Sequence, residues 1–134
     1  MNIRFGLREN RTQFRPGEEV NGAVLWEGTE KPQLAEVRLL WFTRGKGTED
    51  VSVVATESFS DPQPGDTRTF HFTLPDAPYS FNGKLISVTW AVEFVLKPGE
   101  HAERIEIIVS PSDEEIRLSE IVKSGTNSPQ ISKK

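Results

Sequence analysis

Residues 86–97 read ISVTWAVEFVLK. Ile86, Val88, Trp90, Val92, Phe94 and Leu96 fall on every second position, and Ser87, Thr89, Ala91, Glu93 and Val95 fill the places between. A strand turns successive side chains to opposite faces, whereas a helix gathers a face at spacings of three and four. Only extended backbone puts all six large apolar side chains on one side. The segment predicts a long strand with one face in a core.

The same period of two recurs along the chain. Phe70, Phe72 and Leu74 point one way, with Thr69, His71 and Thr73 the other. Ile3, Phe5 and Leu7 form a set, as do Val20, Gly22, Val24 and Trp26. Val37, Leu39 and Trp41, then Val51, Val53 and Ala55, then Ile105, Ile107 and Val109 complete the inward series. Turn residues lie between the runs: Pro16-Gly17, Gly45-Lys46-Gly47, Pro62 to Gly65, Asn82-Gly83 and Pro98-Gly99. Short strands punctuated in this way predict an all-β sandwich or barrel. A sandwich suits the pattern because two facing sheets bury one face of every strand at once.

Composition narrows the class. At 134 residues, one domain is expected, and a chain of this length can hold its own core. Without cysteine, disulfides and thiolate metal sites are excluded, which fits a reducing compartment. The opening MNIRFGLREN has no apolar run of signal-peptide length, and no stretch approaches the ~20 apolar residues of a membrane span. A net charge of −4 argues against nucleic acid or anionic lipid as the main partner. The expectation is a soluble, cytoplasmic globular protein.

Residues 14–28, FRPGEEVNGAVLWEG, concentrate backbone-shaping residues ahead of one strand. Pro16 and Gly17 fit a type II turn that reverses the chain between Phe14 and Val20. Asn21-Gly22 is a strong hairpin signal elsewhere, but a hairpin here would leave almost no first strand. Gly22 is read instead as an in-strand glycine, at a bulge or a close backbone approach. Residues 111–134 differ in character. Ser112 and Glu115 form a capping box, acids fill the first turn, Lys123 lies in the last, and Gly125 stands just beyond. They predict a helix of two to three turns, and TNSPQISKK reads as a flexible basic tail. The expected division is a sandwich over 1–110 and a helix with tail over 111–134.

Pro16-Gly17-Glu18, Val20, Gly22 and Val24 resemble the PGE-x-V-x-G-x-V signature near the start of arrestin-like domains. A second block, GDTRTFHFTLPDAPYSFNGKLISVTWAVEF, is similar to the arrestin segment in which a glycine precedes an F-x-F-x-L-P strand, followed by P-x-S-F, a glycine and an aromatic-Val strand. Gly65, Phe70, Phe72, Leu74, Pro75, Pro78, Ser80, Phe81, Gly83, Ile86, Trp90 and Val92 match in order and spacing. The resemblance covers about residues 5 to 110. It implies an immunoglobulin-like antiparallel β-sandwich of the arrestin type, with about seven to eight strands. Arrestins carry two such sandwiches, and this chain has room for one. The charged residues of the arrestin phosphate sensor and polar core cannot be placed here, and the tail has no P-P-x-Y motif. Receptor and ubiquitin-ligase adaptor roles are therefore not carried over. The chain looks more like single-domain bacterial relatives such as the sporulation-control proteins.

No residue set points to catalysis. His71 is on the outward face of a strand and His101 lies beside a turn, without a carboxylate at ligand spacing. RGKGTED lacks the spacing of a phosphate loop and reads as a hairpin tip. Ser80 and Ser87 lack a nucleophile elbow. No cofactor is expected. Several outward positions are nevertheless apolar: Leu40, Phe42, Val54, Val95 and Ile108. Such residues are either ordinary scattered singles or are covered by the C-terminal helix, by a second copy or by another protein. The expectation is a non-catalytic protein-interaction module or scaffold that works through a sheet edge or an outer sheet face. Leu40, Phe42, Val54 and Val95 are its contact candidates, and its partner is another protein or a second copy in a homodimer. The alternative is a small-ligand or carbohydrate-binding sandwich, in which Trp26, Trp41 and Trp90 would be stacking platforms if they were exposed.

Overall fold

The structure, a computed structural model, describes residues 2–111 and 116–117. In chain order the strands are β1 Ile3–Leu7, β2 Gln13–Phe14, β3 Glu19–Trp26, β4 Leu34–Gly45, β5 Thr48–Ser58, β6 Asp66–Thr73, β7 Phe81–Asn82, β8 Ile86–Lys97, β9 His101–Val109 and β10 Ile116–Arg117. A 3₁₀ turn follows β1 at Arg8–Asn10, and no α-helix lies among the described residues. The described residues are all-β in two layers. The smaller sheet has the order β1-β3-β6. The larger runs β10-β7-β8-β4-β5, with β9 also on β8 and β2 on β9. Its long central pair, β4 and β8, is antiparallel, with Trp41 opposite Trp90 and Val37 opposite Phe94.

The inner faces meet in one cluster. Val24, Trp26, Phe70 and Phe72 from the small sheet pack with Val37, Leu39, Trp90, Val92, Phe94 and Leu96 from the large one. Rings bridge the layers: Trp26 stacks on Phe94 at 5.6 Å, and Phe5 lies 6.0 Å from the same ring. The two deepest tryptophans keep their N–H groups satisfied. Trp26 Nε1 donates to the Gln63 carbonyl and Trp90 Nε1 to the Pro78 carbonyl, each at 2.9 Å. Trp41 is half-buried against the same core.

The first turn forms as its residues demand. Gly17 takes a φ of 86°, and the Glu18 amide donates to the Arg15 carbonyl at 3.1 Å, closing the reversal. Two further bonds tie this turn to the end of β6: the Gly17 amide to the Leu74 carbonyl and the Leu74 amide to the Glu18 carbonyl, both 3.0 Å. Asn21-Gly22 is not a turn. Gly22 lies inside β3, where a Cβ would come within 2.5 Å of both the Gly6 carbonyl oxygen and Phe70 Cζ. The glycine permits a close approach of two backbones and a ring.

The block around Ser80 is a fastening. Ser80 is buried; its amide donates to the Val109 carbonyl at 2.8 Å and its Oγ accepts the Val109 amide at 2.9 Å. The connection from β6 to β7 is thus pinned to β9 at one end and to Trp90 near its middle.

Three expectations need correction. Val51 and Val53, expected on the core face, lie outside it, about half exposed. The ladder between β4 and β5 shifts register at Leu39 and Leu40, which face Ala55 and Val53 and leave Val54 as an extra residue. One extra residue flips every side chain on the far side of the bulge to the opposite face. Ile86, also expected inside, is 51% exposed, because β8 runs on past the core to stand opposite Gly45 at a hairpin end. The predicted C-terminal helix is extended at Ile116–Arg117, which pair in parallel with Phe81–Asn82. An existing strand offers backbone partners without the unfavourable nucleus a short helix requires. Residues 112–115 and 118–134 of the predicted helix and tail lie outside the described residues.

Candidate functional site

The register places the outward side chains of the large sheet in rows. Val53 on β5, Leu40 on β4 and Ala91 on β8 form one, followed by Val51, Phe42 and Thr89. Leu40, Phe42 and Ala91 make a second buried cluster behind the main core. The guanidinium groups of Arg44 and Arg104 stand 4.8 and 5.1 Å from the Phe42 ring centre. Each contributes a cation–π contact and covers apolar area with its stem. The next rows carry charge. Arg38 Nε donates to Glu36 Oε2 at 2.6 Å, and Arg104 Nη2 to Glu93 Oε2 at 3.4 Å.

The four sequence-derived contact candidates separate on this surface. Leu40 and Phe42 are neighbours on one face but fully buried. Val95 lies in the row of Glu36, beyond the charged row, and is 8% exposed. Val54 alone of the four offers contact area, at 43% exposed, and it does so as the bulged residue. Ile108 is half-buried on β9 beside β2.

Sequence reading missed the centre of the surface, Val51 and Val53. The signal was present in the adjacent pair Val53-Val54, which interrupts the alternation that a regular half-buried strand requires. β5 is the outermost strand of the large sheet and pairs with β4 on one side. The turn that introduces it has two residues, Lys46 and Gly47, both at positive φ (27° and 81°), which is the type I′ hairpin pattern. Such a loop makes Gly45 and Thr48 a hydrogen-bonded pair. Alternation along the ladder then aims the amides and carbonyls of Glu49, Val51 and Val53 away from β4. The side chains of Val51 and Val53 stand beside Phe42 and Leu40, so open backbone and exposed apolar area coincide there.

The β6 edge offers less. β6 borders the small sheet, and its outward residues, Thr67, Thr69 and His71, are polar. The outer surface of that sheet continues with Arg4, Gly6, Ala23 and a half-buried Leu25.

The polar loops are built as clamps. The Arg15 amide donates to the Glu18 carboxylate at 2.8 Å and, against the opposing effect of burial, holds its pKa below the ordinary value; Arg11 adds to this. Burial pushes the Asp66 carboxyl up, but the Arg68 guanidinium and the amides of Gln63 and Thr67 more than offset it, leaving the pKa lowered. Lys31, 2.7 Å away, lowers that of Asp61. His71 is exposed on β6 and His101 is half-buried next to Gly99. Among the described residues, no group of three or more His, Cys, Asp or Glu is placed to hold a metal ion. None of their helices is long and apolar enough to cross a membrane.

No protein-family model and no curated protein matches the chain. Among solved structures, a β-glucosidase from Listeria innocua in complex with gluconolactone aligns with a TM-score of 0.46 at 16% identity, over 81% of this chain and 16% of that one. The chain spans about a sixth of that enzyme's length. A likeness at this level assigns neither fold nor activity.

Proposed function

We propose that the chain is a non-catalytic protein-interaction module on an immunoglobulin-like sandwich of the arrestin type, and that it binds through the β5 edge of its large sheet. One observation carries the reading. An 11-residue edge strand holds Val51, Val53 and Val54 at 50%, 51% and 43% exposure along its middle. Edge strands are ordinarily kept short, charged or covered, because their open backbone invites pairing. A strand added here would satisfy the outward groups of Glu49, Val51 and Val53 and cover the exposed halves of the valines. That cover is worth about 1 kcal/mol per side chain. Two buried polar side chains have structural work: Ser80 fastens β9, and Glu36 holds Arg38 and Ser58. Trp26 and Trp90 face the core, which favours an interaction module over a sugar-stacking face.

Site-specific photocrosslinking in extract of the native host tests this. A photoreactive residue at Val53 is expected to give protein adducts that the same residue at Thr69, on the other sheet, does not. Absence of adducts from Val53, or equal labelling from both places, overturns the proposal.

A further inference from the structure

Resting on that reading, we infer the chemistry of the strand that β5 accepts: an extended peptide pairing antiparallel with Glu49–Val53 and carrying the order apolar, any residue, apolar, basic. The outward backbone groups belong to Glu49, Val51 and Val53, so the register of an added strand is set by these residues. Its side chains opposite Val53 and Val51 continue the rows that end in Leu40 and Phe42. Those positions therefore take β-branched or other apolar residues, as cross-strand neighbours on one face do.

Charge sets the next position. β5 carries Glu49, Asp50 and Glu57 and no cation. Glu49 already meets Arg44 at 3.1 Å. Asp50 and Glu57 enter no ion pair among the described residues. In an antiparallel partner, the residue two places after the one opposite Val53 faces Val51, and the residue after that faces Asp50. A lysine or arginine there pairs with the Asp50 carboxylate. The same charges disfavour a second copy of β5 in the register centred on Val53. A two-fold axis at Val53 would set Glu49 of each chain against Glu57 of the other, and like charges directly opposite are destabilising.

The test uses blocked synthetic peptides and the full chain. The probe is Thr-Val-Thr-Val-Lys-Thr, and its control replaces Lys with Glu. Backbone amide NMR is expected to show shifts centred on Glu49, Val51 and Val53. Binding of the Glu control should be about three- to ten-fold weaker, the range expected when a cross-strand attraction becomes a repulsion. Asp50→Asn should remove most of that preference without disturbing the fold, since Asp50 is exposed. Val51→Pro should abolish binding: it deletes an outward donor and keeps the β4 ladder. If that variant does not fold, Asp50→Lys, which should reverse the preference toward the Glu peptide, serves instead. Equal binding of both peptides, shifts centred elsewhere, or no binding of the Lys peptide overturns the inference. A crosslinked partner whose segment lacks the apolar-x-apolar-basic order also overturns it while leaving the module reading standing. A Val53 adduct at twice the chain mass, marking a second copy, does the same.

Discussion

Replacing Gly22 by alanine sets two known effects against each other at a well-defined place in the fold. Alanine narrows the unfolded ensemble, which by itself stabilises by about 0.4–1 kcal/mol where the backbone allows it. At Gly22 the added methyl would lie 2.5 Å from the Gly6 carbonyl oxygen and 2.5 Å from Phe70 Cζ. Carbon atoms rest at about 3.5–4.0 Å, so the ring must retreat by about 1 Å. Phe70 is 3% exposed and packs on Phe5 and Phe72, and Gly6 is backbone paired in β1. Neither neighbour is a flexible tip. Overpacking of this kind costs about 1–3 kcal/mol, so the expected net loss runs from about 0 to 2.6 kcal/mol, with its middle at about 1.3. Gly6→Ala is the matched control, because nothing lies within 4 Å of the Cβ it would add on the adjacent strand. Urea unfolding followed by tryptophan emission measures both. Gly22→Ala should move the midpoint down without changing the slope, while Gly6→Ala stays at or above the parent. Equal stability of the two variants, or a gain for Gly22→Ala, would refute the close-approach account.

Ser80→Ala removes the hydroxyl that accepts the buried Val109 amide and should cost about 1–3 kcal/mol, with faster hydrogen exchange at Val109; unchanged exchange there would mean the fastening is not needed. Glu18, Asp61 and Asp66 have lowered pKa values in the folded chain, so folding favours their ionised forms. Their stabilisation is present above the ordinary carboxylate range of about 4 and is lost as acid carries the pH down through the lowered folded values. The urea midpoint should hold between about pH 7 and 5 and fall below about 4, and Asp66→Asn should make that fall shallower. A midpoint that rises with acid would contradict the sign.

The two layers are legible in local pattern alone. Alternation in β8, β6 and β3 names the inner face directly, because side-chain direction in a strand follows position with a period of two. Trp90, Phe72 and Val24 accordingly meet in one cluster. The turn at Pro16-Gly17 and the in-strand role of Gly22 were legible for a similar reason: φ limits and the missing Cβ are properties of single residues. Register and exposure, by contrast, arise when the strands assemble. The bulge at Val54 depends on how β5 meets β4, and it carries Val51 and Val53 from the expected core to the surface. Leu40 and Phe42 look like surface contacts in a linear pattern, yet Ala91 of β8 packs beside them, and Arg44 of β4 and Arg104 of β9 close over the Phe42 ring. Several pairing partners, such as β4 with β8 and β3 with β6, lie far apart along the chain, so which strand forms an open edge, and which apolar residues it leaves uncovered, is set by the assembled sheet rather than by local pattern.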